Sequence, residues 1–280
     1  MTLGAFLAPL LYWGAQWIAG YGILEWLVEQ PFRKFFHRAL LVAALVLLWP
    51  TARWLRISGI RELGLEPNSR RWNDALIGFA IAFLTTALLG GVLIALPVAE
   101  FRMEILWWKL AQVVVSAVVV AFLEEWLFRG AILGLMLRSM RPLTALFWSA
   151  ALFSILHFLK PDTANPETVG WFSGFALIPG AFGQFREPWL VLGGWVTLFC
   201  VGWILGWTRL RTRGLGMAIG LHAGWILGSM GFNKIARRSL PADVTLPWVG
   251  DSLIVGLVSV AIVLFAGLLV WLTLRKRSVF

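Results

Sequence analysis

About eight apolar stretches, each long enough to cross a bilayer, follow one another through this chain, at 4–27, 39–55, 75–98, 110–136, 143–159, 189–208, 214–232 and 251–273. A helix needs about 17–25 apolar residues to span the hydrocarbon layer. Hydrophobic residues make up 60% of the 280 positions and charged ones 14%, against about 45–50% and about 25% in soluble domains. A single aqueous core stops growing near ~250–300 residues and cannot absorb that much apolar sequence. The pattern therefore predicts an all-α fold, a polytopic transmembrane helix bundle of about eight spans. It is read as one integral-membrane domain over 1–280, with its chemistry-bearing core at about 110–232. Pro50 and Arg53 interrupt the second stretch. The seventh carries Gly214, Gly216, Gly220, Gly224, Gly228 and Gly231, and small residues every four positions predict close helix packing in lipid.

The charge balance of +10 sits in small groups between apolar stretches: Arg33/Lys34/Arg38, Arg53/Arg56, Arg209/Arg211/Arg213 and Arg275/Lys276/Arg277. Such loop charges set membrane orientation. Nucleic acid is excluded as a partner, because no basic face interleaved with stacking aromatics is present. Lys and Arg are in slight excess on the side that holds both termini, so both termini are expected in the cytoplasm. Of the 18 Trp, many lie near segment ends (Trp49, Trp54, Trp72, Trp107, Trp108, Trp271), where an aromatic belt is expected. Residues 1–24 lack a basic n-region, so the first stretch is read as a retained span. The single cysteine, Cys200, rules out an intrachain disulfide and a Cys-based zinc site. The segment 160–188, with Pro161, Pro166, Pro179 and Pro188, cannot be one straight helix; it is expected to form a mobile cover over a cavity entrance.

Ionisable residues inside membrane spans are costly and point to function. Five lie well inside the apolar stretches: Glu124, Glu125, Arg129, His157 and His222. On a helix Glu125 and Arg129 are i and i+4 and share a face, in the favourable order, so Glu125 is expected to be an ionised, paired support. Glu124 points about 100° away and has no sequence-local cation, which suits a group that takes and returns a proton. His157 and His222 sit on two further spans. Together they offer the means to activate a water and to stabilise an oxyanion. Glu124, His157 and His222 equally suit three ligands to Zn²⁺ with a water in the fourth place. The serine-hydrolase elbow and H-E-x-x-H are absent.

Three motifs carry a family resemblance: Glu124-Glu125-Trp126-Leu127-Phe128-Arg129, Phe153-Ser154-Ile155-Leu156-His157, and His222 with its following turn. In this order they resemble the CPBP family of intramembrane proteases, the CAAX-protease-like family related to the Rce1-type prenyl-protein endopeptidase, over residues 121–228. The resemblance implies that Glu124 activates water, that His157 and His222 are its partners, and that Glu125 and Arg129 support them. It leaves open whether a metal takes part. The departure is Ile226, where the family pattern has Asn. Isoleucine donates no hydrogen bond, and Trp225 N–H, Ser229 and Asn233 are the candidate substitutes.

The leading expectation is an intramembrane endopeptidase that hydrolyses a peptide bond in or near the bilayer. Its partners are membrane lipid and a peptide or protein substrate, and its location is the bacterial inner membrane. The alternatives are a non-catalytic protein of the same fold, acting as an immunity or scaffolding factor, and a small proton-coupled transporter. A prenylated CAAX substrate is not implied.

Overall fold

A computed structural model describes residues 1–63, 68–159, 161, 166–186 and 188–276. Lys160, Glu187 and Arg277, which bear on the loop and charge expectations above, lie outside the described residues. Among the described residues eight helices run for fifteen residues or more: α1 (Thr2–Ala19), α2 (Phe32–Trp54), α3 (Arg71–Ala95), α4 (Trp107–Met136), α5 (Pro142–Leu156), α6 (Pro188–Thr212), α7 (Gly216–Ile235) and α8 (Leu257–Leu274). Each coincides with one apolar stretch of the sequence. Five of them, α2, α3, α4, α6 (over Val191–Thr212) and α8, are long and apolar enough to cross a membrane, and α5 is a shorter apolar helix. The protein is an all-α helical bundle and an integral membrane protein.

Two features differ from the sequence reading. Helix α2 starts at Phe32, seven residues earlier than expected, and runs through Pro50. Arg33 and Lys34 do not stop it, because long basic side chains can extend from a helix end to the interface. A two-stranded exception to the helical fold was also not foreseen: β1 (Ala99–Phe101) pairs antiparallel with β2 (Ala236–Arg238), Ala99 opposite Arg238 and Phe101 opposite Ala236. Three residues per strand are too few for a period-two pattern to register.

The chain divides into two compact units. The first comprises Met1–Ser58 and Ile155–Val191. Its core is small residues of α1 (Ala5, Ala8) against aromatic ones of α2 (Phe32, Phe36), with Tyr12 edge-on to Phe32 and Phe35. The segment after α5 is broken, as its prolines require, into a short helix at Ser173–Ala176 and a 3-10 stretch at Pro179–Arg186. Leu177 and Ala181 seal it onto the α1/α2 core.

The second unit comprises Gly59–Ser154 and Leu192–Phe280. Its centre is the α3–α7 contact, and the glycines of α7 make it. A Cβ on Gly224 would stand 2.6 Å from Phe79 O, and one on Gly228 would stand 2.7 Å from Thr86 Cβ. Gly216 and Gly220 are closed off by the Arg71 and Ala75 carbonyls. The four-residue spacing thus brings two backbones together, the packing that lipid-embedded helices use in place of a hydrophobic driving force. Gly220→Ala is accordingly expected to separate α3 from α7 and to lower the thermal unfolding midpoint in detergent. Overpacking of this kind costs about 1–3 kcal/mol, whereas Gly91→Ala, with nothing within 4 Å of the added carbon, should leave the midpoint near the parent value.

Tryptophans mark the helix ends as expected: Trp49, Trp54, Trp72, Trp107 and Trp271 are exposed. Several carry a cation over the ring, Arg53 on Trp49, Arg71 on Trp72, Lys109 on Trp108 and Arg275 on Trp271. The pairing joins the two interface preferences, aromatic belt and basic loop, at the same positions.

Candidate active site

Helix α4 changes pitch just after its two glutamates. It is α-helical to Glu125, a π-helix over Trp126–Ile132, and α-helical again over Leu133–Met136. The sequence reading assumed an ordinary α-helix here, and the structure corrects it. In the wider turn the Leu133 N–H reaches back to Phe128 O, and Arg129 O accepts a hydrogen bond from Arg209 Nε at 3.1 Å. Single π turns inside α-helices occur frequently at functional sites.

Arg129 lies wholly inside the second unit, 0% exposed, as does Glu125. Its Nη1 donates to Glu125 Oε1 at 3.0 Å and its Nη2 to Gly202 O at 3.2 Å. The guanidinium also lies over the Phe153 ring, 4.1 Å from the centroid. A buried charge of this size is tolerable only when paired and hydrogen-bonded, and three helices share the task. Gly202 is part of it: a Cβ there would stand 3.1 Å from Ala150 Cα and 3.2 Å from Phe153 Cδ1. The absence of a side chain lets α6 press against α5 while its carbonyl turns to Arg129.

The same oxygen of Glu125 holds His222 of α7, whose Nδ1 is 2.7 Å away. A carboxylate paired with arginine only accepts hydrogen bonds, so Nδ1 carries the proton and the ring is held in one orientation, as second-shell carboxylates hold functional imidazoles. The other ring nitrogen, Nε2, is then directed 3.8 Å from Glu124 Oε2. That separation exceeds a direct hydrogen bond and suits a small molecule bridging the two atoms. Phe153 meets the His222 ring edge-on at 5.8 Å, so one phenyl ring braces both the arginine and the imidazole. Glu124 is 8% exposed and His222 5%.

The structure thus brings together Glu124, Glu125, Arg129 and His222 in the second unit. His157 occupies the turn after α5, is half-buried and falls in the first unit. The sequence reading missed the direct bond between Glu125 and His222, since no spacing rule links residues 97 positions apart. It also missed Gly202 and Arg209. A glycine inside an apolar stretch and an arginine just past its end, in a basic group, were their only traces. Among the described residues no group of three His, Cys, Asp or Glu side chains is arranged to hold a metal ion. Glu125 Oε1 is already engaged by both Arg129 and His222.

Of the candidate replacements for the donor missing at Ile226, two are otherwise engaged or misplaced. Ser229 Oγ donates back to Trp225 O at 2.7 Å, and Asn233 is exposed. Trp225 is 9% exposed, and its indole Nε1 meets no hydrogen-bond acceptor among the described residues.

Residues 106–227 match the family described as type II CAAX prenyl endopeptidase, Rce1-like. The match covers the central part of the chain and is a likeness to that family. The matched segment begins at the foot of α4 and ends in α7, so it takes in every residue of the cluster just described. Comparison with curated proteins and with solved structures gives no match.

Proposed function

We propose that the protein is an intramembrane endopeptidase that hydrolyses a peptide bond in or near the bilayer with a glutamate- and histidine-activated water. One observation carries this reading: a buried carboxylate, Glu125, binds Arg129 and His222 through a single oxygen and directs the free edge of the imidazole toward a second carboxylate, Glu124. A purely structural ion pair needs only the first two of these groups. The family match supports the reaction class.

In the proposed reaction a water lies between Glu124 Oε2 and His222 Nε2. Glu124 takes its proton as the oxygen attacks the scissile carbonyl carbon, and the carbonyl oxygen gains the negative charge. The proton then passes from Glu124 to the departing amine as the C–N bond breaks. Glu125 and Arg129 keep the imidazole in place and do not exchange protons with substrate. His157 is the second imidazole of the proposal, and His157→Gln should lower turnover. All eight long helices are taken as spans of one integral-membrane domain over 1–280, in a bacterial inner membrane with both termini cytoplasmic. The partners are membrane lipid and a peptide or protein substrate.

The test is direct. Purified protein in liposomes is incubated with membrane-anchored reporter peptides, prenylated and unprenylated, and products are read by mass spectrometry. Cleavage by the parent and none by Glu124→Gln supports the reading; no cleavage of either peptide class by the parent counts against it.

Ile226 supports the second reading, a non-catalytic protein of the same fold, because an expected donor is missing from α7. Substitution at Trp225 tests between the two. If its indole N–H serves the developing oxyanion, Trp225→Phe should lower turnover by about 10²–10³, the effect of removing one such donor. Ile226→Asn should then leave the rate level or lower it. A large gain on Ile226→Asn with no loss on Trp225→Phe would show instead that the position is simply impaired.

A further inference from the structure

Away from the glutamate–histidine cluster, α3, α4 and α7 enclose a cavity of about 370 Å³. Its lining side chains are all apolar, and glycines from two helices (Gly90, Gly91, Gly228, Gly231) hollow it out. Phe101 of β1 and Ile235 at the end of α7 are part of its lining. The volume falls in the range of ligand pockets, about 300–1,000 Å³. Trp107 and Trp108, exposed at the start of α4, mark the same end as lying at interface depth.

The rim is basic. Arg102 follows Phe101 and is fastened to the end of α7, its backbone N–H donating to Ile235 O at 2.9 Å and its Nε to Asn233 O at 3.2 Å. Lys234 stands in the last turn of α7. Both are exposed, and neither makes an ion pair among the described residues. Their neighbours on β2 differ: Arg237 pairs with Glu100, and Arg238 is tied to Gly250 O and Thr245. Glu104 is the other nearby carboxylate. The α7 C-terminus adds about half a negative charge, less than the two cations it borders.

We propose that this cavity binds an anionic phospholipid, one acyl chain between α3, α4 and α7 and the phosphate on Arg102 and Lys234. An apolar slot at interface depth suits an acyl chain, and uncompensated cations at its mouth suit a charged headgroup. The inference is independent of the catalytic reading, since none of these residues belongs to the glutamate–histidine cluster.

The test uses the full chain in detergent, titrated with phosphatidylglycerol and with phosphatidylcholine of the same chains, and read by native mass spectrometry. The parent is expected to hold phosphatidylglycerol about tenfold more tightly. Arg102→Gln with Lys234→Gln should remove that preference and leave phosphatidylcholine binding in place. Gly91→Leu, which has open space for its side chain, should fill the cavity and weaken both lipids at an unchanged unfolding midpoint. Glu124→Gln should bind lipid as the parent does, whatever it does to peptide cleavage. Equal affinity for the two lipids, or unaltered binding by Gly91→Leu, would overturn the assignment. Displacement of phosphatidylglycerol by a farnesylated peptide would give the cavity to a different occupant and overturn it as well.

Discussion

Glu124→Gln is expected to reduce peptide turnover by about 10²–10⁴, the contribution of a positioned general base, while folded yield in detergent stays close to the parent. The two halves of that result have different causes. Glutamine keeps the shape of the side chain but cannot take a proton from water. The pair that keeps Arg129 neutralised at close range runs through Glu125, at 3.0 Å, and is left whole. Turnover measured in liposomes, with yield judged by size-exclusion chromatography, checks both. Full activity in Glu124→Gln would remove the proposed base.

Glu125→Gln should do the opposite first: it should destabilise the protein. Arg129 is 0% exposed, and breaking a buried pair by removing one partner costs about 3–5 kcal/mol, because the remaining charge is stranded. His222 would also lose the carboxylate that holds its Nδ1–H at 2.7 Å. Adding Arg129→Met should recover part of the unfolding midpoint, since replacing both members of a buried pair by groups of similar volume is often neutral or better. It should not recover turnover, because the imidazole is still unanchored. A stable, fully folded Glu125→Gln that has lost all cleavage would exchange the roles of the two glutamates.

Much of this was legible in the sequence because the physics is local. A span is recognised by about twenty apolar residues in a row, and each of the eight stretches is a helix. The Glu125–Arg129 pair follows from helical spacing and appears as read, even though the turn that carries it is a π turn. The glycines of α7 were legible as packing residues for the same reason, a period of four along one helix.

The partners across the bundle were not legible. Isolated spacing could make Glu125 only the partner of Arg129. It took the crossing of α4 and α7 to give the same oxygen to His222. Gly202 is one of 28 glycines in the sequence, and nothing beside it in the chain marks it as the one that offers a carbonyl to a buried guanidinium. The same holds for Trp225, which stood level with Ser229 and Asn233 as a donor until the fold committed the serine to its own helix and left the asparagine exposed. The sequence by itself determined the lipid-embedded helical class, the order of the long helices, and which rare ionisable residues lie within them, because the cost of charge and bare backbone in an apolar solvent acts residue by residue. The tertiary structure alone decided which of those residues share a hydrogen bond and where a cavity opens, because both depend on distances between segments far apart in the chain.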